Sequence, residues 1–231
     1  MNSDPFADPA AVARYLDETP RRVPGFADLH RMALLLLSER APADARILVL
    51  GAGGGLELKA FAEAQPGWSL VGVDPSQPML DLAGKVLGAL MAQVELVRGV
   101  IEDAPEGPFD GATCLLTLHF LGIEERLAVL RGLHQRLKPG APLLIAHHGD
   151  PGAGKVEDWL ARSVRFAAGP QGDATTAAES AQRMAERLTL LTADREAQLL
   201  RKAGFVEPAM FYSALSFQGW VAYAGHRAKL R

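Results

Sequence analysis

Two groups of residues in this chain carry chemistry by type and spacing. The first is Gly51-Ala52-Gly53-Gly54-Gly55, set between an apolar strand and a helix, together with Asp74 about 20 residues further on. Gly51 and Gly53 allow backbone torsions and a close approach that a side chain would block. The free N–H groups at the start of the following helix favour an anionic group above the loop. Asp74 closes the next strand, where a carboxylate can accept two hydrogen bonds from a ribose diol. Together they describe a nucleoside pocket at the carboxyl ends of the strands, provided that side chains leave its space open. Counted from Gly51, the sixth position of the dinucleotide fingerprint G-x-G-x-x-G/A is Leu56, whose bulk crowds the usual approach of a pyrophosphate. An NAD(P)-binding oxidoreductase is the rival that this position argues against. Alone, such a loop is also compatible with a simple tight turn.

The second group is His119, His147 and His148, with Asp150, at the carboxyl ends of the fourth and fifth strands. Histidine titrates near neutrality and suits a general base. A base adds about 10²–10⁴-fold where the reacting group arrives protonated. Each histidine could equally cap a strand or bond backbone. Adjacent His147 and His148 point to opposite faces of a continuing strand, so they are not assigned a shared metal. Cys114 is the one cysteine, lies in an apolar run and reads as a small core residue.

Elements that alternate along the chain must position these groups. The chain has 231 residues, a net charge of −3, 48% hydrophobic and 22% charged residues, as in ordinary globular proteins. The charge argues against a broad basic surface for nucleic acid or anionic membrane. Apolar runs fall short of the roughly 18 residues of a membrane span. The acidic start, broken by Pro5 and Pro9, is not a signal peptide, so the expected location is cytoplasmic. Asp8-Pro9 opens a short helix through Leu16, Pro20 and Pro24-Gly25 force a turn, and a helix spans Phe26–Arg40. Strands follow at Arg46–Leu50, Ser69–Val73, Val94–Val97, within Phe109–Thr117, and at Pro142–Ala146. Between them lie a helix to about Ala64, one capped by Ser76 and reaching about Met91, and one whose face is Ile123, Leu127, Leu130, Leu133 and Leu137. This alternation means a parallel sheet with right-handed crossovers. Helices near Val156–Ala167 and up to Leu188 interrupt it. Thr192 then caps a helix ended by Gly204. Two strands, Phe205–Phe211 and Ser216–Ala224, reverse at Tyr212-Ser213-Ala214, which makes the last one antiparallel. The expectation is a single domain over 1–231: a lead-in (1–44), a cofactor-binding core (45–148), an insertion (149–190), and a final helix and strands (191–231).

ILVLGAGGGLELKAF (47–61), LVGVDPSQPML (70–80), RGVIEDAP (98–105), FDGATCLLTLHFL (109–121) and LHQRLKPGAPLLIAHH (133–148) resemble, in order and spacing, the motifs of class I S-adenosylmethionine-dependent methyltransferases. The resemblance implies a Rossmann-like α/β fold: a seven-stranded, mostly parallel sheet of order 3-2-1-4-5-7-6, strand 7 antiparallel, with helices on both faces. It implies S-adenosyl-L-methionine as cofactor. Gly51, Ala52 and Gly53 would face its methionine part, Asp74 its ribose, Met79 and the backbone of Ile101 its adenine, and Leu116 and Thr117 its sulfonium, with Pro75 also among the cofactor-binding residues. Two positions depart from the family pattern. Val49 stands where an acid is often found, and Val100 where an Asp usually meets the adenine amino group; Glu102 or Asp103 would substitute for the latter. Glu57, on the first turn of the loop helix, is either a compensating acid near the methionine ammonium or an ordinary helix N-terminal acid.

VPGFADLH, LLTLHFL and LLRKAGFVEPAMFYSALSFQGWVAYA are also similar to the carboxy-S-adenosylmethionine synthase family, which acts in wobble-uridine modification of tRNA. That family's carboxylate-binding Arg aligns with Leu199, near Arg201, and an aromatic hydroxyl is replaced by Phe26. An apolar side chain cannot pair a carboxylate. The expected activity is therefore methyl transfer from S-adenosylmethionine to a small-molecule acceptor by in-line displacement. A carboxy-S-adenosylmethionine synthase-like enzyme is the alternative, and a non-catalytic nucleoside-binding relative, motivated by Val49 and Val100, is a further one. The carboxylating relatives imply a homodimer. Arg14, Tyr15, Arg21 and Arg22 would form a lid or a solvated surface; Trp159, Arg162, Arg165 and Phe166 would shape an acceptor pocket or a dimer contact. The basic end, AGHRAKLR, reads as a soluble tail.

Overall fold

The computed structural model describes residues 9–226, so Asp8 and most of the basic C-terminal tail lie outside the described residues. One sheet organises the chain: β1 (Arg46–Leu50), β2 (Ser69–Asp74), β3 (Val94–Arg98), β4 (Gly111–Leu115), β5 (Pro142–His148), β6 (Phe205–Ala214) and β7 (Phe217–Ala224). Their order is β3-β2-β1-β4-β5-β7-β6. β1 to β5 are parallel, and β7 runs antiparallel to both neighbours, as the alternation and the late strand pair predict. β4 and β5 are buried at every residue and are nearly all apolar, which suits strands covered on both faces.

The covering helices are α1 (Pro9–Arg22), α2 (Phe26–Ser38), α3 (Leu56–Ala64), α4 (Gln77–Leu87), α5 (Ile123–Arg136), α6 (Val156–Ala168), α7 (Ala174–Arg187) and α8 (Ala193–Lys202). Strand alternation divides the core in two. Leu48, Val71, Cys114 and Ile145 face α5 and α8, while Ile47, Val49, Leu70 and Leu144 face α2 and α3. α6 and α7 pack on each other, and α6 also meets α1. Among the described residues no helix is long and apolar enough to cross a membrane.

Four local expectations are corrected. α1 does not stop at Leu16 but runs through Pro20 to Arg22. Proline in the final turn removes one N–H and leaves the rest of the helix paired; Glu18 also pairs with Arg14 and Arg22, one turn away on either side. α4 ends at Leu87, because Gly88 (φ 52) leaves helical geometry and a 3₁₀ segment carries the chain to Gln93. Thr192 holds the N-cap place of α8 through its carbonyl, which accepts the Glu196 N–H, with no side-chain cap. β6 is longer than expected, and the chain reverses at Leu215-Ser216, with Leu215 left-handed (φ 55). Pro208 cannot donate to the ladder, and the register shifts between Val206 and Ala209 to pass it.

Candidate active site

The glycine loop is tied to β2 before it meets any ligand. The N–H groups of Gly51 and Ala52 both donate to the Val73 carbonyl, at 2.8 and 3.0 Å. Gly53 then donates its N–H to Asp74 Oδ2 at 2.8 Å, and the Ser76 N–H reaches Asp74 Oδ1 at 2.9 Å. Asp74 is thus a buried carboxylate oriented by backbone from both sides. The loop needs its glycines: Gly51, Gly53 and Gly55 all have left-handed torsions, and a Cβ at Gly55 would lie 2.9 Å from Ala83 Cα. A Cβ at Gly51 would collide with Thr117, so the β1 and β4 loops approach closely. A Cβ at Gly53 would lie 2.7 Å from the Tyr15 hydroxyl, and one at Gly54 2.7 Å from the Tyr15 ring. The side chains of Tyr15, from α1, and Thr117 therefore stand over part of the space beside the loop. Burial pushes the Tyr15 phenol up to about 12, opposed by the Gly54 backbone hydrogen bond. Arg14 and Arg22 turn to Glu18 instead of the loop.

The other residues expected at a cofactor have varied surroundings. Met79, fully buried, comes within 3.6 Å of a Cβ placed on Gly53. Ile101 is buried against Gly132 of α5. Pro75 and Glu102 are exposed, and Asp103 folds back to accept the Val100 N–H at 2.9 Å. Leu116 is left-handed (φ 61), a conformation that disfavours an L-residue by about 1–2 kcal/mol. The Thr117 hydroxyl donates to the Leu115 carbonyl.

The three histidines gather at the ends of β4 and β5, and donor counting assigns their protons. The His148 N–H donates to His119 Nδ1 at 3.2 Å, so a neutral His119 carries its proton on Nε2. The Ser163 hydroxyl donates to the Trp159 carbonyl; the Ser216 hydroxyl, 2.6 Å away, must then donate to Ser163. His148 Nδ1, 2.8 Å from Ser216 Oγ, is consequently the donor there, which leaves a lone pair on Nε2. His148 also stacks on Phe217. Burial, with the charge of His147, pulls His148 down to about 3; burial and the neighbouring His148, His147 and Arg126 hold His119 well below its ordinary value. His147 points away from His148's Ser216: its Nδ1 donates to the His148 carbonyl at 2.9 Å, and its Nε2 lies 3.5 Å from Glu196. Asp150 accepts the Gly152 N–H of its own turn. Among the described residues no three His, Cys, Asp or Glu side chains are arranged to hold a metal ion.

Two features escaped the sequence reading. Arg126 and Glu196, 0% and 1% exposed, form an ion pair of 2.8 Å between α5 and α8. Arg126 also donates twice to the Leu118 carbonyl (3.2 and 2.9 Å) and once to that of Thr189 (2.7 Å). It thereby clamps the turn that bears His119. Burial raises the Glu196 carboxyl, but the neighbouring His147 and the Arg126 charge outweigh it and hold the group low. The available signal was a charge on each apolar stripe: Arg126 beside Leu127 and Leu130, Glu196 beside Ala197 and Leu200. The second feature is the depth of Glu57. It is 7% exposed, and burial pushes its carboxyl up to about 7.

Comparison with known proteins fits this geometry. The family described as "Methyltransferase domain" matches residues 48–143, which hold β1 to the start of β5 with the glycine loop and Asp74. The carboxy-S-adenosyl-L-methionine synthase of Chromohalobacter salexigens is 26% identical over 223 residues, 94% of this chain and 82% of that protein. The cypemycin N-terminal methyltransferase of a Streptomyces species is 36% identical over 137 residues, 58% of this chain and 54% of its own. In fold, an O-methyltransferase family protein from Burkholderia thailandensis superimposes with a TM-score of 0.65 at 18% identity, covering 97% of this chain and 63% of that one. With the strand order predicted from its motifs and a glycine loop braced against a buried acid, the chain has a Rossmann-like fold, and its residues 48–143 are similar to the methyltransferase domain family.

Proposed function

We propose that the protein transfers the methyl group of S-adenosylmethionine to a small-molecule acceptor bound over the ends of β4 and β5, beneath α6. The observation that carries this reading is the hydrogen-bonded union of the Gly53 backbone with Asp74, in a loop whose Gly51 abuts Thr117 at the head of the turn that bears His119. The cofactor brings an already activated methyl on a sulfonium, so the chain's task is to position and to exclude water. Alignment of this kind supplies about 7–11 kcal/mol of a barrier. Asp74 would take the ribose hydroxyls, Gly51 and Thr117 would border the reacting end, and the Tyr15 ring would move off the loop to admit the ligand and then shield it.

His119 offers an N–H and His148 a lone pair, a donor and an acceptor whose ring centroids are 5.1 Å apart. A group titrating at about 3 is a weak base at neutral pH, where the best catalytic base titrates near the operating pH. His148 therefore orients an acceptor that arrives with its own lone pair. Leu199, buried in the core, and Arg201, exposed on α8, give no support to a carboxylate-binding cation at that place.

Calorimetry with S-adenosylhomocysteine tests the cofactor seat. Asp74→Ala, with its fold checked by circular dichroism, should weaken binding by about 1.5–3 kcal/mol, the range for hydrogen bonds to a charged group. Unchanged affinity removes Asp74 from the ribose, and no binding by the wild type at millimolar ligand ends the reading. Mass spectrometry after incubation with S-adenosylmethionine and prephenate separates methyl transfer from carboxylation of the cofactor.

A further inference from the structure

Nothing in the proposed transfer uses the carboxyl of Glu57, yet its position is hard to explain as packing. Glu57 lies on the first turn of α3, directly after the glycine loop, where an acid ordinarily stays in solvent and favours the helix dipole. Here it is turned inward. Its Oε1 is fully buried, and the polar side chain set against it is the equally buried, uncharged hydroxyl of Thr113, which offers no counter-charge. Thr113 is the β4 residue in register with Val49 of β1. The carboxyl therefore lies where β1 passes into the glycine loop and β4 approaches the Leu116-Thr117 turn, next to a fully buried Val49.

The groups facing it do not neutralise a negative charge. From α1 comes the Tyr15 phenol, while the Cys114 thiol of β4 lies on the other face of the sheet; both feel Glu57, and burial pushes both up to about 12. On α3 itself Lys59 is half-buried and pairs with Glu63. On α2, burial pulls His30 down to about 4, so it is neutral at pH 7; Arg31 pairs with Asp28 in solvent. On α4, Asp81 accepts from Gln77. Asp74, at the end of β2, adds a second negative charge close to Tyr15. An ionised Glu57 would be a buried charge without a counter-ion, which proteins avoid by holding the proton.

A ligand that brings a cation to this end of the loop would change that balance. We propose that Glu57 is the counter-ion of the α-ammonium group of the bound cofactor, and that it releases its proton when that ammonium arrives. The inference rests on the cofactor reading above. The step balances simply: the Glu57 O–H bond breaks, its proton passes to buffer, and the carboxylate left behind pairs with the ammonium. Glu57 thus does from the helix what Val49, an apolar residue at the end of the strand, cannot do.

Titration calorimetry tests this with two probes, S-adenosylhomocysteine and 5′-methylthioadenosine, which lacks the amino-acid part. Each is measured at pH 6, 7 and 8 in phosphate and in Tris, whose different ionisation heats report protons released. For the wild type, S-adenosylhomocysteine should release about half a proton at pH 7 and bind about tenfold tighter at pH 8 than at pH 6. 5′-Methylthioadenosine should show neither effect. Glu57→Gln should weaken S-adenosylhomocysteine at pH 8 by about tenfold, abolish the linkage and leave 5′-methylthioadenosine unchanged. The proposal is overturned if wild-type binding releases no proton, or if Glu57→Gln alters both probes alike or neither. If neither probe binds the wild type, the cofactor reading itself fails, and this inference with it.

Discussion

Replacing Arg126 by Met takes one side from the most enclosed ion pair of the described residues. The guanidinium makes four hydrogen bonds, to Glu196, Thr189 and twice to Leu118, with no exposed surface of its own. Each bond to a charged group is worth about 1.5–3 kcal/mol, but bonds from one group are not additive. The better guide is a buried pair broken on one side, which destabilises by about 3–5 kcal/mol because the remaining charge has lost its partner. Glu196 would keep only His147 beside it. The pH dependence follows from the same geometry. In the wild type Glu196 is held low, so its contribution is present above the unfolded carboxylate range and lost as acid protonates it. In Arg126→Met the carboxyl keeps its burial and loses the charge that opposed it, so it titrates higher than in the wild type. The gap between the two proteins should therefore narrow as pH falls through the carboxylate range, and be wider at pH 7 than at pH 4. Arg126→Met/Glu196→Met, which removes both charges and keeps the volume, should recover most of the loss. Urea unfolding followed by circular dichroism at both pH values, with m-values compared, measures all three. A single-mutant loss below about 1 kcal/mol, or a double mutant no more stable than the single, refutes the reasoning. The double mutant should also loosen the Leu118 turn that carries His119, lowering turnover with S-adenosylhomocysteine affinity retained.

Two further substitutions address the loop. Gly53→Val forces a β-branched residue to φ 51 and drives a carbon to 2.7 Å from the Tyr15 hydroxyl; it should lose about 1–2 kcal/mol of stability and abolish S-adenosylhomocysteine binding, and retained binding would show that the loop faces another ligand. Without ligand, Glu57→Gln should grow more stable than the wild type as pH rises. The folded carboxyl titrates at about 7 against an unfolded value near 4.5, so its contribution is fully present below 4.5 and lost as pH rises through 7. That amounts to about 2–3 kcal/mol between pH 5 and 8, and a pH-independent difference in thermal unfolding would exclude it.

What the sequence made legible is whatever depends on neighbours in the chain. Strand alternation, the loop glycines and Asp74 are short-range patterns, and the sheet order followed from matching several of them in series. The histidines were legible as candidates, but their protonation was not, because it is set by hydroxyls that fold brings from elsewhere: Ser216 is 68 residues from His148, and Ser163 is 53 from Ser216. Arg126 and Glu196 are 70 residues apart, and each alone looks like a polar interruption of an apolar stripe. Local rules also mislead where packing overrides them, as at Pro20, which ends a peptide helix more readily than one with α6 against its side. Glu57 shows the same limit at the site itself. Its residue type and first-turn position are those of a common helix acid, and only the depth to which α3 is drawn against β1 and β4 turns it into an uncompensated carboxyl awaiting a cation. Chemistry of this kind is a property of burial, and burial is a sum over the whole fold that no single stretch of sequence contains.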